Sequence, residues 1–443
     1  MISVCDCAAL MAVDPAINPV IYLGDELRSG VFRWTSGDLS SLVSSDVQNA
    51  MYVCSSSIPT TTGAWVRSRT NLEYNVLWFG AKGDASSDDQ AAFNAINTLL
   101  PVTGGEIYIP AGCYSLSQSW QLSNKPVTIR GAGVKITMLF FTGTTDGIVY
   151  SGSDLSQTLT IEGFSVISLS NGTTTGLNVS FPVNLGSSWK NCTIRDMIFD
   201  GSSSIAAYQS TNVSQGAARW GIGISCNNVA GLTIDNVHVR GRYSTKDSVG
   251  IYLTGWTVDL RLVNCILQFH NVAVFKVGEL EGFNIDHCTG LSCNVFIRLW
   301  NSNPPVAGAA GGVSGFISNC HSGNTIRGID IWRFPQTFIT NCLLYQDATS
   351  PANTQFAHIF ASSSDSLKII GNHMQGSDGS HGWNVQLAGC YAPVISSNFC
   401  WGTYFSVSVD SASVSPIITG NHMQGRVSNG ASGTAAIANN IAL

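Results

Sequence analysis

The sequence predicts an all-β fold: a right-handed single-stranded parallel β-helix with a small N-terminal module and one capping α-helix. Three observations lead to this prediction. The composition is rich in Gly, Ser, Thr and Asn, a loose repeat recurs every 22 to 32 residues, and apolar side chains alternate as they do in strands. One coil cannot bury its own inward face, so such coils stack into a solenoid.

The composition suits many short strands joined by turns. Apolar residues make up 44% of the 443 residues, so the chain can bury a large core, whereas only 11% are charged. Disorder is excluded, because disordered chains are charge-rich and poor in apolar residues. The net charge of −6, without a Lys/Arg cluster, argues against nucleic acid as a partner. No run reaches the ~18 apolar residues of a membrane span, so we expect no membrane insertion.

The first residues lack the basic segment of a signal peptide and include Asp6. We therefore expect no cleaved signal and folding in a reducing cytoplasm, with the thirteen cysteines reduced. Cys5 and Cys7 form a lone C-x-C, which is too little for a metal site. The sequence predicts no metal and no cofactor.

The repeat is clearest in the hexapeptide GNHMQG, which occurs at 371–376 and again at 420–425. Around it lie looser copies, in which a short apolar run is followed by Asn or His. The variable interval excludes strict helical solenoids and fits coils of three short strands. The marker residues are expected in tight left-handed bends, and they are Asn236, Asn264, His287, Asn319, Asn341, Asn372, Asn398 and Asn421.

Four cysteines follow these markers in successive coils: Cys265, Cys288, Cys320 and Cys342. A column of small apolar residues in the core accounts for this recurrence better than disulfides or a metal. We therefore expect these cysteines to be buried and reduced.

One clear helix is expected at 86–101, where Ser87 and Gln90 have the spacing of a capping box. A helix before the first coil would cover strand edges that are otherwise unpaired. The predicted organisation is an N-terminal module (1–70), the opening of the β-helix with its capping helix (71–120) and the β-helix body (121–443).

The segment Tyr74–Ser117 resembles the opening of pectate-lyase-like domains in bacteriophage tailspikes and polysaccharide-degrading enzymes. Their usual pattern is N-V-x-x-F-G-A-x-G-D-G, then D-D-T-x-A, then G-G-x-V-x-x-P-x-G-x-Y. Ala85 and Gln90 depart from this pattern. The residues that match it are Asn75, Val76, Phe79, Gly80, Ala81, Gly83, Asp84, Asp88, Asp89, Ala91, Gly104, Gly105, Pro110, Gly112 and Tyr114.

The stretches GVFRWTSGD (30–38) and GAWVR (63–67) resemble the small module that precedes this domain in phage tail proteins. The resemblance implies that residues 1–70 attach the protein to a phage tail or baseplate. It also implies a homotrimer in the virion, which folds in the bacterial cytoplasm and acts outside, at the host surface.

Taken together, the resemblance implies a phage tailspike that binds and depolymerises a polysaccharide of the host cell surface. Both a glycoside hydrolase and a polysaccharide lyase fit. The residue sets of pectinase-type hydrolysis (N-T-D, D-D, G-H-G and R-I-K) are absent, so the resemblance supplies no catalytic residue. Two alternatives stay open: a non-enzymatic receptor-binding spike and a bacterial pectate-lyase-like enzyme.

Candidate site residues come from aligning one strand of each coil, with apolar residues inward and the intervening residues outward. Coils lie ~4.8 Å apart, so outward residues form a continuous stripe. The predicted catalytic residues are Tyr252, Lys276, Arg298, Asp330 and His358. The predicted substrate-binding residues are Trp300, Trp332 and Phe360, aligned with one another in a second row beside the first, and Gln386.

Exposed aromatics beside charged groups suit a glycan, because pyranose rings stack on indole faces while charges hold hydroxyls and carboxylates. A trimer interface that buries the same aromatics is the alternative. A hydrolase would pair Asp330 with a second carboxylate from a neighbouring subunit or from Glu279, Glu281, Asp247 or Asp347. A lyase would hold a uronate with Arg298 or Lys276 and use His358 or Tyr252 as the base.

Overall fold

The computed structural model describes residues 2–69, 73–153, 157–182, 192–211, 218–302, 314–347, 356–377 and 381–442. Within these ranges no helix is long and apolar enough to cross a membrane. Two bodies of strands follow each other along the chain: a small mixed sheet and a long parallel ladder.

The small sheet lies at the N-terminus and has the strand order β1-β2-β3-β5-β4. Its own core includes Leu10, Phe32 and Trp65. Ala50 and Met51, by contrast, are buried against the core of the long ladder, so the two bodies are in contact. The elements are β1 (Ile2–Val4), α1 (Cys7–Met11), β2 (Val20–Leu23), β3 (Gly30–Ser36), α2 (Ser40–Ser45), β4 (Tyr52–Val53) and β5 (Gly63–Arg67).

The long ladder contains 35 strands in the described residues. Its first part consists of β6 (Glu73–Asn75), a 3-10 turn (Val76–Phe79), β7 (Asp84–Asp88), α3 (Gln90–Leu99), β8 (Gly105–Ile109), β9 (Gly112–Leu116), β10 (Trp120–Ser123), β11 (Val127–Gly131), β12 (Thr137–Phe141), β13 (Ile148–Ser151), β14 (Leu159–Ser168), β15 (Thr175–Ser180), β16 (Cys192–Gly201) and α4 (Ile205–Thr211). The middle part consists of β17 (Ile222–Asn227), β18 (Leu232–Arg240), β19 (Val249–Thr254), β20 (Thr257–Val263), β21 (Ile266–Gln268), β22 (Val272–Val277), β23 (Leu280–Asp286), β24 (Thr289–Trp300), β25 (Gly315–Ser318) and β26 (His321–Trp332). The last part consists of β27 (Thr337–Thr340), β28 (Leu343–Gln346), β29 (Ala357–Ser362), β30 (Lys368–Ile370), β31 (His373–Gln375), β32 (Trp383–Ala388), β33 (Val394–Ser396), β34 (Phe399–Trp401), β35 (Phe405–Val409), β36 (Ile417–Thr419), β37 (His422–Met423), β38 (Arg426–Asn429), β39 (Ala436–Ala438) and β40 (Ile441–Ala442).

Each coil gives one strand to each of three parallel sheets, which confirms the predicted right-handed parallel β-helix. We call them sheet I (from β10 to β38, including β19, β22, β29 and β32), sheet II (from β6 to β39, including β25, β27 and β30) and sheet III (from β7 to β40, including β28, β31 and β34). The long strands β24 and β26 turn the corner from sheet III into sheet I.

Branched aliphatic side chains stack inside the coils in register. In sheet I one inward column consists of Ile224, Ile251, Val274, Ile297, Ile329, Ile359, Val385 and Val407. Every member is fully buried. β-branched residues have one preferred rotamer and pack well on a pleated surface, so this column sets the register of the sheet.

At the bend between sheets II and III, one residue of the coil adopts a left-handed backbone conformation. Asn264, Asn319 and Asn341 adopt φ of 55°, 53° and 54°, as predicted for the markers. In the later coils the prediction is wrong by one position. There the left-handed residue is Gly371, Ser397 or Gly420, with φ of 69°, 57° and 66°, and the marker asparagine follows it.

Those later asparagines, Asn372, Asn398 and Asn421, are buried and form a ladder through the coils. The backbone N–H of Asn372 donates to Oδ1 of Asn398 at 2.9 Å, and that of Asn398 donates to Oδ1 of Asn421 at 2.9 Å. Each side chain thereby satisfies a backbone donor of the preceding coil, which would otherwise be buried and unpaired.

The cysteine column continues this ladder towards the N-terminus. The backbone N–H of Cys342 donates to Oδ1 of Asn372 at 2.9 Å, which places the cysteine and the asparagine at equivalent corners. Cys265, Cys288, Cys320 and Cys342 are buried, and all thirteen cysteines are free. Each column thiol donates to backbone carbonyls, as Cys288 Sγ does to Leu262 O at 3.5 Å. The prediction of buried, reduced cysteines is confirmed.

The helix α3 begins at Gln90, after Asp89, and the predicted capping box is wrong. Ser87 lies in β7 and donates its amide to Asp84, while Asp89 accepts the amides of Lys82 and Gly83. These turn contacts leave Ser87 no role at the helix end.

The same helix nevertheless covers the start of sheet I. Its Phe93 packs edge-on against Trp120 at 4.9 Å between ring centroids. Trp120 donates its indole N–H to the carbonyl of Phe93 at 3.1 Å. This contact shields the edge of β10, the first strand of sheet I.

We predict that Asn398→Ala lowers the free energy of unfolding by about 2–4 kcal/mol, because the buried amide of Asn372 loses its acceptor and the carbonyl of Ile369 loses its donor. Equilibrium urea unfolding followed by circular dichroism measures the change. Asn341→Gly is the matched control and should stay within about 1 kcal/mol, since glycine adopts positive φ freely. Equal effects of the two substitutions would contradict the ladder's role.

Candidate functional site

A groove of about 480 Å³ lies on the outer face of sheet I. Trp300 stands opposite Trp332, and Arg298 stands opposite Asp330, in neighbouring strands of the sheet. The groove is lined by Arg298, Trp300, Ile326, Arg327, Asp330, Trp332, Phe360 and Ser362. The structure therefore brings together five of the nine predicted residues.

Aromatic rings form the wall of this groove. Trp300 and Trp332 meet edge to face at 6.4 Å, with an interplanar angle of 84°. Phe275 packs edge-on against Trp300 at 5.7 Å, and Tyr252 lies beside Phe275 at 5.4 Å. The rings thus continue from coil to coil along the axis, where a chain of sugar rings could follow them.

Three arginines lie over these rings. Arg298 lies 4.6 Å from the centroid of Trp300, and Arg333 lies 4.5 Å from that of Trp332. Arg327 lies 4.0 Å from the centroid of Phe360. Stacking holds each guanidinium in place while its N–H groups stay available to a ligand.

One carboxylate lies among the arginines. Arg298 donates from Nε to Oδ2 of Asp330 at 2.9 Å, and Asp330 is only 5% exposed. Arg327 donates from Nη1 to Oε1 of Gln386 at 3.2 Å. Because Asp330 neutralises only one of the three guanidinium groups, the groove keeps a net positive charge.

Burial lowers the pKa of Arg327 from its ordinary value, and the neighbouring Arg298 lowers it further, whereas Asp330 opposes the shift. An arginine remains charged at neutral pH. An anionic ligand would therefore relieve a desolvated positive charge at this position.

Lys276 does not belong to the groove, which corrects the prediction. It stands opposite Leu253 and Leu299, in an inward column, and is fully buried. Its Nζ donates to the carbonyl of Gly255 at 2.6 Å and to Thr257 Oγ1 at 3.1 Å. The alignment was wrong by one residue, so Phe275 and not Lys276 points outward.

The prediction that His358 faces outward is also wrong. It precedes the inward Ile359 and is fully buried, with Nε2 near the carbonyl of Gln375 at 3.0 Å and Nδ1 near Asn384 at 3.2 Å. Burial lowers its pKa to about 3, so the ring is neutral. A buried neutral histidine that faces away from Asp330 cannot exchange protons with a ligand in the groove.

The remaining predicted residues lie on the outer face. Phe360 stands opposite Asp330 and not, as predicted, opposite Trp332. Gln386 stands opposite Phe360 in the next coil. Tyr252 lies three coils before Asp330, a separation of about 14 Å at the usual strand spacing. Tyr252 therefore cannot act on the same sugar bond as Asp330.

The second carboxylate that hydrolysis needs is not found in the groove lining among the described residues. Asp247 pairs with Arg219, and Asp347 lies 3.9 Å from Lys246. Glu279 lines a separate depression with Trp256, and Glu281 is exposed in β23. Within one chain, the described groove can bind anions and can place one carboxylate for proton transfer.

Sequence reasoning missed Arg327, Arg333 and Phe275. Arg327 lies two residues before the inward Ile329, so strict alternation would turn it inward and could not have found it. Phe275 was missed because the alignment of β22 was wrong by one residue. Arg333 follows the strand, where alternation no longer applies.

A second group of titratable residues, also missed, lies beneath α4 on the outer face of sheet III. Burial raises the pKa of Asp200 to about 7, and its partners are Tyr208, Arg240 and the amide of Gly201 at 2.8 Å. Tyr208 packs on Phe140 at 5.9 Å. Asp200 and Tyr208 are 4% and 1% exposed, so this group is closed to solvent and holds α4 to the sheet.

The fold and the groove define a class: parallel β-helix proteins with an aromatic groove, rich in arginine, along one outer face. Comparison with known families agrees with the fold. Residues 74–274 match the family described as rhamnogalacturonase A/epimerase, pectate lyase-like.

Solved structures extend the likeness along the chain. Full-length tailspike protein 2 of a bacteriophage of Escherichia coli O157:H7 is 16% identical with a TM-score of 0.51, covering 94% of this chain and 51% of that one. The DFA-IIIase of Arthrobacter chlorophenolicus without its lid is 12% identical with a TM-score of 0.56, covering 83% of this chain and 99% of that one. The predicted pectate-lyase-like β-helix, a fold shared with a phage tailspike, is confirmed.

Curated relatives match over shorter stretches. Mannuronan C5-epimerase AlgE6 of Azotobacter vinelandii is 29% identical over 131 residues, which are 29% of this chain and 12% of that protein. Alginate lyase 7 of the same organism is 37% identical over 75 residues, which are 15% of this chain and 9% of that protein. The chain thus spans about a tenth of the length of these relatives.

We predict that Lys276 makes a contribution to the stability of the wild-type chain that rises from pH 7 to pH 9.5. Burial lowers the pKa of this lysine to about 7, whereas an unfolded lysine titrates near ~10.4. Between these values the unfolded chain binds a proton that the folded chain does not, so stability falls as pH falls through the window.

Lys276→Met should remove this contribution, whose slope amounts to at most about 1.4 kcal/mol per pH unit. Urea unfolding at pH 7.0, 8.0 and 9.5 measures it. Lys368→Met, at a partly exposed position of sheet II, serves as the control and should keep the wild-type slope. An unchanged slope in Lys276→Met would contradict the burial of a neutral amine.

Proposed function

We propose that this protein is a phage tailspike that binds and depolymerises a polysaccharide of the host cell surface. The observation that carries the proposal is the groove in which Trp300 and Trp332 stand beside three arginines and the buried Asp330. Both tryptophans are partly exposed, and aromatic side chains left open to solvent on an outer face mark a binding surface. The tailspike fold and the family match over 74–274 support this assignment.

The chemistry of the groove favours an acidic polysaccharide. Guanidinium groups bind carboxylates in a planar, bidentate manner, and among the described residues of the groove no carboxylate pairs with Arg327 or Arg333. Uronate carboxylates would supply these partners. Relatives whose names refer to mannuronan and alginate, both uronate polymers, support the same substrate class.

In this proposal binding and chemistry are carried by different residues. Sugar rings stack along Trp300 and Trp332, while Arg327 and Arg333 hold the acidic groups. Asp330 is the group for proton transfer at the sugar bond, and Arg298 fixes its orientation through the 2.9 Å hydrogen bond. A neighbouring subunit would supply a second acid or base if the reaction is hydrolysis.

A second candidate is a receptor-binding spike that grips the glycan without cutting it. The single carboxylate in the described groove lining favours this alternative. Release of reducing ends from a panel of bacterial capsular polysaccharides distinguishes the two functions. Ultraviolet absorbance of an unsaturated uronate product would further identify a lyase.

Residues 1–70 contain a separate sheet with its own core, and we propose that they attach the spike to the phage tail or baseplate. A protein that acts from the virion works outside the host cell. Cross-linking of this segment to isolated phage tails tests the attachment.

We predict that Trp332→Ala weakens binding of an acidic capsular polysaccharide about fivefold, because the loss of one aromatic contact costs about 1 kcal/mol. Arg327→Gln should weaken it at least as much and reduce its dependence on salt, since one charge is lost. Isothermal titration measures both effects. Tyr243→Ala, an exposed ring in the turn before β19, is the control. Full affinity in both groove variants would place the glycan elsewhere.

We predict that Asp330→Asn keeps glycan affinity within about threefold but lowers the rate of reducing-end release at least 100-fold, the usual range for loss of an acid–base group. The substitution preserves shape and removes the proton carrier. Affinity and release are measured on the same preparation, so a folding defect would appear in both. Wild-type release by Asp330→Asn would assign the chemistry to another residue.

A further inference from the structure

The column of sheet I that contains Arg327 continues through the following coils towards the C-terminus. Arg327 stands opposite Ala357 and Ala357 opposite Trp383, and the column goes on to Phe405 and Arg426. Trp383 and Phe405 are partly exposed, and Arg426 is exposed. Large side chains that are open to solvent therefore follow the groove along the same sheet, beyond the residues that line it.

Three aromatic rings lie together in these later coils. Trp383 and Phe405 stack with 6.2 Å between ring centroids and 6° between ring planes. Tyr404, in the turn before β35, meets Phe405 edge-on at 4.7 Å and is 38% exposed. Because the rings are in contact, their exposed parts form one continuous apolar patch. We call Trp383, Tyr404, Phe405 and Arg426 the distal cluster.

Arg426 repeats the pairing of guanidinium and ring that is found in the groove. Its guanidinium carbon lies 4.9 Å from the centroid of Tyr404, and its Nη1 donates to the Tyr404 hydroxyl at 2.8 Å. In the groove, Arg327 lies over Phe360 in a similar way. The ion pairs of the described residues do not include Arg426. The distal cluster therefore combines an apolar patch with a positive charge that no described carboxylate neutralises.

The surface between the groove and the distal cluster is polar but uncharged. Beside the column, the row of Asp330 continues as Phe360, Gln386, Ser408 and Ser428. Amide and hydroxyl groups both donate and accept hydrogen bonds, so they suit the hydroxyls of a sugar. Beyond Asp330 neither the row nor the column contains a carboxylate in the described coils, so no negative charge on this path repels an acidic chain.

We propose that the distal cluster is a second subsite for the acidic polysaccharide that the groove binds, with the polymer running along the helix axis from Asp330 to Arg426. This inference rests on the proposed function of the groove. Sugar rings stack on the apolar patch, and Arg426 binds a uronate carboxylate. Continuity with the groove and the positive charge of the cluster both favour this ligand.

The distance between the two cations determines which ligands can use both subsites. Arg327 and Arg426 lie four register steps apart, which is about 19 Å at ~4.8 Å per coil. A pyranose unit of an extended chain is about as long as one coil spacing, so a chain of several units spans the interval and a single sugar does not. A long chain therefore gains from two linked contacts, whereas a short one occupies only one subsite.

Selection by length suits a protein that must hold a polymer in the presence of its fragments. Short fragments dissociate readily, because they contact one subsite at a time. The intact polymer stays bound through the second subsite when the first one opens.

Binding of alginate fractions of three and of ten uronate units, measured by isothermal titration, tests the proposal. The wild type should bind the long fraction at least about tenfold more tightly than the short one. Phe405→Ala should weaken binding of the long fraction about fivefold, the loss of one aromatic contact, and leave the short fraction within about twofold. Arg426→Gln should act in the same way and reduce the salt dependence for the long fraction alone.

Two further variants serve as controls. Phe316→Ala makes the same change at an exposed phenylalanine of sheet II, and it should bind both fractions as the wild type does. Trp332→Ala changes the groove itself and should weaken binding of both fractions. Wild-type affinity for the short fraction also shows that the distal variants are folded.

The outcomes separate this proposal from the proposed function. Wild-type affinity of both Phe405→Ala and Arg426→Gln for the long fraction would overturn the second subsite and leave the function of the groove intact. Equal weakening for both fractions would also overturn it, because the distal cluster would then only support the groove. A wild type that binds neither fraction would count against the uronate binding proposed for the groove, and the second subsite would fail with it.

Discussion

The register between coils is the constraint on which the rest of this structure depends. Each inward residue stacks on the equivalent residue of the next coil, as Ile297 does on Ile329. A slip of one residue would turn every side chain of a strand to the opposite face. Because a slip would cost so much free energy, β22 keeps its register and buries the amine of Lys276 in an apolar column. This burial disfavours the charged form of the lysine and lowers its pKa.

The same register produces two outer surfaces with opposite chemistry. On sheet I it places guanidinium groups over aromatic rings, which suits a long anionic ligand. Around the bend between sheets II and III it stacks rings of successive coils, Phe316 on Phe338 and His373 on Phe399.

The side chains inside the bend also change along the helix axis, although the left-handed conformation of the preceding residue is kept. Cysteines occupy the corner in the earlier coils, where their thiols donate to carbonyls, and asparagines occupy it in the later coils. Asparagine both donates and accepts, so Asn398 links the coils before and after it. The later coils therefore depend on side-chain hydrogen bonds at a place where the earlier coils depend on close packing.

The sequence by itself determined the solenoid, the capping helix at its start, the buried cysteines, and the pairing of Trp300 with Trp332 and of Arg298 with Asp330. These features follow from local alternation and from a repeat that any stacking of coils must respect. Only the tertiary structure decided that Lys276 and His358 are buried and that Phe360 stands in the row of Asp330. It also decided which residue of each later coil adopts the left-handed conformation at the bend. In those strands both neighbouring positions carry residues that could face inward, and only stacking on the adjacent coils selects one of them.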